Sequence, residues 1–77
     1  MVWNHRVMRF TEPESGDVFY KFVEVFHEND GTLIGYHDPF MWSETPEGIQ
    51  ELADRLLTAT AKPVLDESEF EFEGGVR

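Results

Sequence analysis

Apolar and polar positions change period several times along this chain, and each change marks an element. Residues 3–10, Trp-Asn-His-Arg-Val-Met-Arg-Phe, mix large apolar with basic side chains, as a strand with one wet face does. Glu12-Pro13-Glu14-Ser15-Gly16-Asp17 is a polar turn. Residues 18–27 are dense in Val, Phe and Tyr and read as the clearest strand. Their two alternating sets, Val18-Tyr20-Phe22-Glu24-Phe26 and Phe19-Lys21-Val23-Val25-His27, are both largely apolar. A central strand follows from that, with neither set marked as the core face. Glu28-Asn29-Asp30-Gly31 is a hairpin signal, because these residue types tolerate positive φ. Residues 32–38 then return as a third strand.

The helix is better marked. Thr45 suits an N-cap, Pro46 the first helical position, and Glu47 the positive end of the helix dipole. Ile49, Leu52, Ala53, Leu56, Leu57 and Thr60 follow helical spacing. Glu47, Gln50, Glu51, Asp54, Arg55 and Thr58 take the other side, with Glu51 and Arg55 spaced as an i,i+4 pair. Pro63 stops the helix near Ala61. The expected fold class is α+β: a small antiparallel three-stranded sheet followed by one amphipathic helix, β-β-β-α. Val7, Val23 or Phe22, Ile49, Leu52 and Leu56 are the expected core. Residues 1–65 form a single domain. Residues 66–77 form an acidic tail, either flexible or an added edge strand. Its alternation Glu69-Phe70-Glu71-Phe72-Glu73 spends two aromatics, which is unusual for a purely solubilising end.

Composition narrows the function classes. Seventy-seven residues make one domain at most, which buries only roughly 60% of its unfolded surface. A small core can also borrow stability from a partner, and a homodimer is compatible with that. With no cysteine there is no disulfide framework and no thiolate metal site. No apolar run approaches the ~20 residues that span a bilayer, and residues 1–10 show no charged-then-apolar signal pattern, so a cytoplasmic address is expected. Sixteen acidic against six basic residues give a net charge of −10. Such a body repels nucleic acid and anionic membranes and favours basic partners. Plain solubility explains acidic surfaces too, and both readings stand.

Chemical motifs are scarce. His5, His27 and His37 are not at i,i+3 or i,i+4 from one another, so no metal site and no cofactor is expected. Reading Gly31 as the sixth calcium-loop position puts Phe26 at the first, and the match fails. Ser15, Ser43 and Ser68 lie in no nucleophile elbow, and Gly74-Gly75 precedes no helix. No catalytic residue is nominated and a non-enzyme is expected. One local feature suggests binding: Phe40-Met41-Trp42, just after Pro39. These side chains either close the open end of a small core or form an interface hot spot.

Two runs taken together resemble a group of small uncharacterised bacterial and phage proteins. They are Glu24-Val25-Phe26-His27-Glu28-Asn29-Asp30-Gly31, and Glu44-Thr45-Pro46-Glu47 through Leu56-Leu57 to Lys62-Pro63-Val64-Leu65. That group reads roughly Y-R-V, E-V-Y-Y-D-E-D-G, G-E-T-x-E-E-L and K-P-V-L, with His5-Arg6-Val7 here in the first place. The chain departs from it at His37-Asp38, where Thr-Glu is usual, and at Ser43 and Gly48, where Gly and Glu are usual. The resemblance implies a fold and no activity. Ser43-Glu44-Thr45-Pro46-Glu47 is also similar to the helix start of HicB-type antitoxins, which would imply a toxin-binding domain.

The leading expectation is a non-enzymatic acidic protein that docks on a basic protein surface, in its sharpest form a nucleic-acid-mimicking inhibitor. Asp38, Glu44, Glu47, Glu51 and Asp54 are the candidate charges, with Phe40, Met41 and Trp42 beside them. The alternative is an accessory subunit held through those three apolar residues.

Overall fold

The structure, a computed structural model, describes residues 1–70. Strands β1 (Val2–Thr11), β2 (Val18–His27) and β3 (Leu33–His37) come first, then helix α1 (Pro46–Thr60). Strand β4 (Leu65–Asp66) and a 3-10 helical turn (Glu67–Phe70) complete it. The fold is α+β, with a two-residue fourth strand beyond the three expected.

β1 and β2 form a long hairpin whose facing pairs run from Val2 and His27 to Thr11 and Val18. Its turn is closed by Glu12 N–H on the Asp17 carbonyl and Gly16 N–H on the Glu12 carbonyl, both at 2.8 Å. The second hairpin closes with Glu28 N–H on the Thr32 carbonyl at 2.8 Å. Gly16 and Gly31 sit at φ 78° and 93°, where a Cβ would strain the backbone. Asp30 accepts from Thr32 N–H at 2.9 Å, and that backbone bond holds its carboxyl below the usual range.

Side chains alternate along each strand, so the register sorts them onto two faces. Met8, Phe10, Val23 and Val25 share one face, with Tyr36 and Leu33 from β3 and Leu65 from β4 beside them. Phe70 is fully buried in this cluster. Its ring meets Tyr36 edge to face at 5.2 Å, and Tyr36 meets Phe10 at 5.7 Å. Phe70 belongs to the segment that the sequence pattern assigns to the tail. Residues 71–77 of that segment, with the rest of its acid–aromatic alternation, lie outside the described residues.

The sheet order is β3-β2-β1-β4, with β4 parallel to β1. Arg9 Nη1 donates to Asp66 at 2.8 Å, Arg6 Nη2 to the Pro63 carbonyl at 2.6 Å, and Thr11 N–H to Glu67 at 3.1 Å. The Arg9–Asp66 pair is solvent-screened, so it adds little to stability. Phe70 is the stronger anchor, because burying such a ring stabilises by about 1.5–3 kcal/mol.

Helix α1 carries the chain from the β3 edge to the β4 edge, across the other face of the sheet. Thr45 is extended at φ −134°, and its Oγ1 accepts from Gly48 N–H at 3.0 Å. A Cβ at position 48 would lie 2.8 Å from the Cβ of Ser43, so any larger residue there would force Ser43 to move. Ser43 and Gly48, two of the departures from the resembling pattern, therefore lie side by side.

The expected core needs correcting at the helix. Val23 is buried, but Val7, Phe22, Leu52 and Leu56 are half-buried and Ile49 is 45% exposed. Ala59 is the helix's buried residue, and Leu57 is 71% exposed. The reason is the strand face beneath it: Trp3, His5, Val7 and Arg9 of β1 offer a mixed surface, while the dense apolar set lies opposite. Among the described residues no helix is long and apolar enough to cross a membrane.

Phe70→Ala should cost ~3–5 kcal/mol in urea denaturation, because it empties the centre of the cluster. Phe40→Ala should stay within about 0.5 kcal/mol of the parent. Equal costs would contradict this placement of the core.

Candidate functional site

The helix-side face of the sheet carries a polar row that the register creates. His5 on β1 faces Glu24 on β2, and Glu24 faces His37 on β3. Glu24 is 8% exposed, with His5 Nε2 at 3.8 Å from one carboxylate oxygen and His37 Nε2 at 3.4 Å from the other. His37 is held from its far side, where Nδ1 donates to the Asp38 carbonyl at 2.7 Å, and its ring leans on Phe26. His5 is 6% exposed, and neither of its ring nitrogens has a hydrogen-bond partner among the described residues. Burial pushes its pKa below the ordinary 6.5, against the pull of Glu24 and with a smaller push from Arg55. The ring is therefore neutral near pH 7, with one donor and one acceptor unused. Among the described residues, no group of three His, Asp or Glu is placed to hold a metal ion.

Aromatic rings and the helix roof this row. Trp3 meets His5 edge on at 5.5 Å, and the Arg55 guanidinium lies 5.9 Å over the Trp3 ring. Arg55 also reaches Glu51 at 3.9 Å. A cavity of about 290 Å³ opens beside them, lined by Trp3, His5, Glu24, Phe40, Trp42 and Glu51 among others. A second, of about 470 Å³, lies between Trp3, Asn4, His5 and the Asp54, Arg55, Thr58 and Lys62 side of the helix end.

Phe40, Met41 and Trp42 are 67%, 54% and 64% exposed, and Phe40 meets Trp42 edge to face at 6.4 Å. They do not close the apolar cluster, which lies on the opposite face of the sheet. Glu47, Glu51 and Asp54 are exposed and lie along one stripe of α1, at i, i+4 and i+7, turned away from Leu52, Leu56 and Ala59. Asp54 accepts from Gln50 at 3.2 Å. Glu44 is exposed just before the helix. Asp38 is already engaged, since Lys21 Nζ donates to it at 2.8 Å and holds its carboxyl below the usual range. The structure thus brings Phe40, Trp42 and Glu51 into the wall of the smaller cavity, sets Asp54 at the rim of the larger one, and leaves Glu47 outside both. Met41 is not among the lining residues.

His5, Glu24 and His37 were legible only in part. Glu24 is the one charged residue in an otherwise apolar alternating set, which marks it as unusual for a central strand. Its histidine neighbours depend on the register of two hairpins, including a shift between Phe26 and His27 that sequence spacing does not reveal.

The His5 environment sets a pH dependence. A histidine whose folded pKa is depressed stabilises the fold above its unfolded pKa, and that contribution is lost as pH falls through 6.5 toward the folded value. The melting temperature should therefore drop from pH about 7.5 to 5.5 more in the parent than in His5→Gln. Parallel curves would contradict a desolvated His5. The carboxylates Asp38 and Asp66, both held low, act in a separate window below 3.8.

Comparison with family models, with curated proteins and with solved structures finds no match to this chain, so the functional reading rests on its own geometry.

Proposed function

We propose that this chain is a cytoplasmic, non-enzymatic acidic binding protein that docks on a basic protein surface through the outer face of α1 and the loop before it. The observation that carries the reading is the uncompensated charge on that face. Among the described residues only three carboxylates, Asp38, Glu51 and Asp66, pair with a lysine or arginine. Glu44 and Glu47 have no such partner, and Asp54 is met by an amide alone. Exposed charges of this kind act mainly on association rate, because their field reaches about 10 Å at moderate salt.

Magnitude favours the general form over a literal copy of nucleic acid. At 1.5 Å rise per residue, Glu47 to Asp54 spreads three carboxylates over about 10 Å. Duplex DNA carries one charge per ~1.7 Å of axis. The helix is sparser than a duplex, so mimicry needs the rest of the acidic surface to contribute.

A second reading is an accessory subunit held by apolar contacts. The exposed Phe40, Met41 and Trp42 favour it, as do Ile49 and Leu57 on the helix. Salt separates the two, since apolar contacts are not screened.

The test compares two triple variants of equal charge change against immobilised polylysine. One reverses Glu47, Glu51 and Asp54 to lysine. The other reverses Glu12, Glu14 and Asp17 in the first hairpin turn. The helix variant should lose most of its on-rate, and the parent should slow markedly between ~50 and ~200 mM salt. Equal losses in both variants would reduce the effect to net charge, and no loss in either would remove electrostatic docking.

A further inference from the structure

We infer that the smaller cavity above the His5–Glu24–His37 row is a receptor for one guanidinium side chain, an arginine presented by the basic partner. The inference takes the partner's basic character from the proposed function and names the group that anchors it.

Three features of the cavity point to that chemistry. Its volume of about 290 Å³ lies at the small end of ligand sites, suited to a side chain rather than a cofactor. Its wall combines the rings of Trp3, Phe40 and Trp42 with the carboxylates of Glu24 and Glu51. Aromatic faces and carboxylates together attract organic cations, and a planar guanidinium both stacks and donates in pairs. The chain's own Arg55 shows how this wall takes such a group, lying over Trp3 and beside Glu51. Phe40 and Trp42, in the same lining, remain more than half exposed.

The floor supplies the specificity. Glu24 is almost wholly buried with its two oxygens facing imidazole nitrogens at 3.4 and 3.8 Å, distances too long for good hydrogen bonds. His5, also in the wall, is buried with neither ring nitrogen hydrogen-bonded among the described residues. A buried polar group left unpartnered costs stability, and an N–H-rich cation entering the cavity offers a donor to the acceptor nitrogen of His5 and charge-assisted bonds to the Glu24 carboxylate. The wall carries Glu24 and Glu51 against the single cation Arg55, so a second positive group is tolerated there.

Both tryptophans of the chain, Trp3 and Trp42, line this cavity, and their indole N–H resonances report occupancy directly. The experiment titrates the full chain with acetyl-Gly-Arg-Gly-amide and with the isosteric, uncharged acetyl-Gly-citrulline-Gly-amide, followed by NMR. The arginine peptide should shift both indole signals saturably, and Trp42→Ala and Glu24→Gln should each weaken it by about tenfold. The citrulline peptide should leave the signals unmoved. Equal responses to the two peptides, or unchanged affinity in Trp42→Ala, would overturn the assignment. A lysine peptide binding as tightly as arginine would overturn the guanidinium part. Helix charge reversal limited to Glu47→Lys and Asp54→Lys separates this site from the docking surface, because it should slow polylysine association while leaving the arginine peptide bound. Docking that survives without peptide binding would sink the cavity inference alone. Peptide binding without salt-dependent docking would sink the proposed function alone.

Discussion

The register of the β1–β2 hairpin decides nearly everything else in this molecule. Side chains on a strand alternate between faces, so sliding one strand by one residue would exchange the two sets. In the register observed, Met8, Phe10, Val23 and Val25 gather on one face and Trp3, His5, Val7, Phe22 and Glu24 on the other. The first set makes a dry cluster that Tyr36, Leu65 and Phe70 complete. The second makes a half-polar floor on which a helix can rest but not seal. The exposed apolar residues of the helix and the open cavities beside it both follow from that division.

The helix is accordingly a bridge more than a core element. Its length carries the chain from β3 to the far edge of the sheet, where β4 and the 3-10 turn deliver Phe70 to the apolar face. A body of this size has too little interior to bury both faces of a sheet fully. The apolar cluster is satisfied from one side by the chain's own C-terminal segment. The polar row is left under a partial roof of Trp3, Phe40, Trp42 and Arg55, and that is where ligand chemistry can enter.

Local structure was legible in the sequence where it depends on local chemistry. The Val/Phe/Tyr run gave strand 18–27, Gly16 and Gly31 marked their turns, and Thr45-Pro46 set the helix start. Which face is dry was not legible, because both alternating sets of β2 are apolar enough to serve, and only pairing with β1 breaks the tie. The helix pattern suggested Ile49, Leu52 and Leu56 as core, yet periodicity shows which residues share a stripe and not which stripe meets the sheet. Phe70 sat in a segment whose charge masked a single anchoring ring. At the candidate site, Phe40, Trp42 and Glu51 were nominated for separate reasons and meet in one wall, whereas Glu24 and its histidines needed three strands in register to be seen.

Both the dry cluster and the polar row depend on that two-faced register, and proton NMR of the full chain tests it in one measurement. Nuclear Overhauser contacts should link the Phe70 ring to Tyr36, and the His5 and His37 rings to the Glu24 side chain, with none between the Phe70 and His5 rings. Contacts from the His5 ring to the Phe70 ring or to the Val23 or Val25 side chains would show a slipped register and rule out the two-faced arrangement.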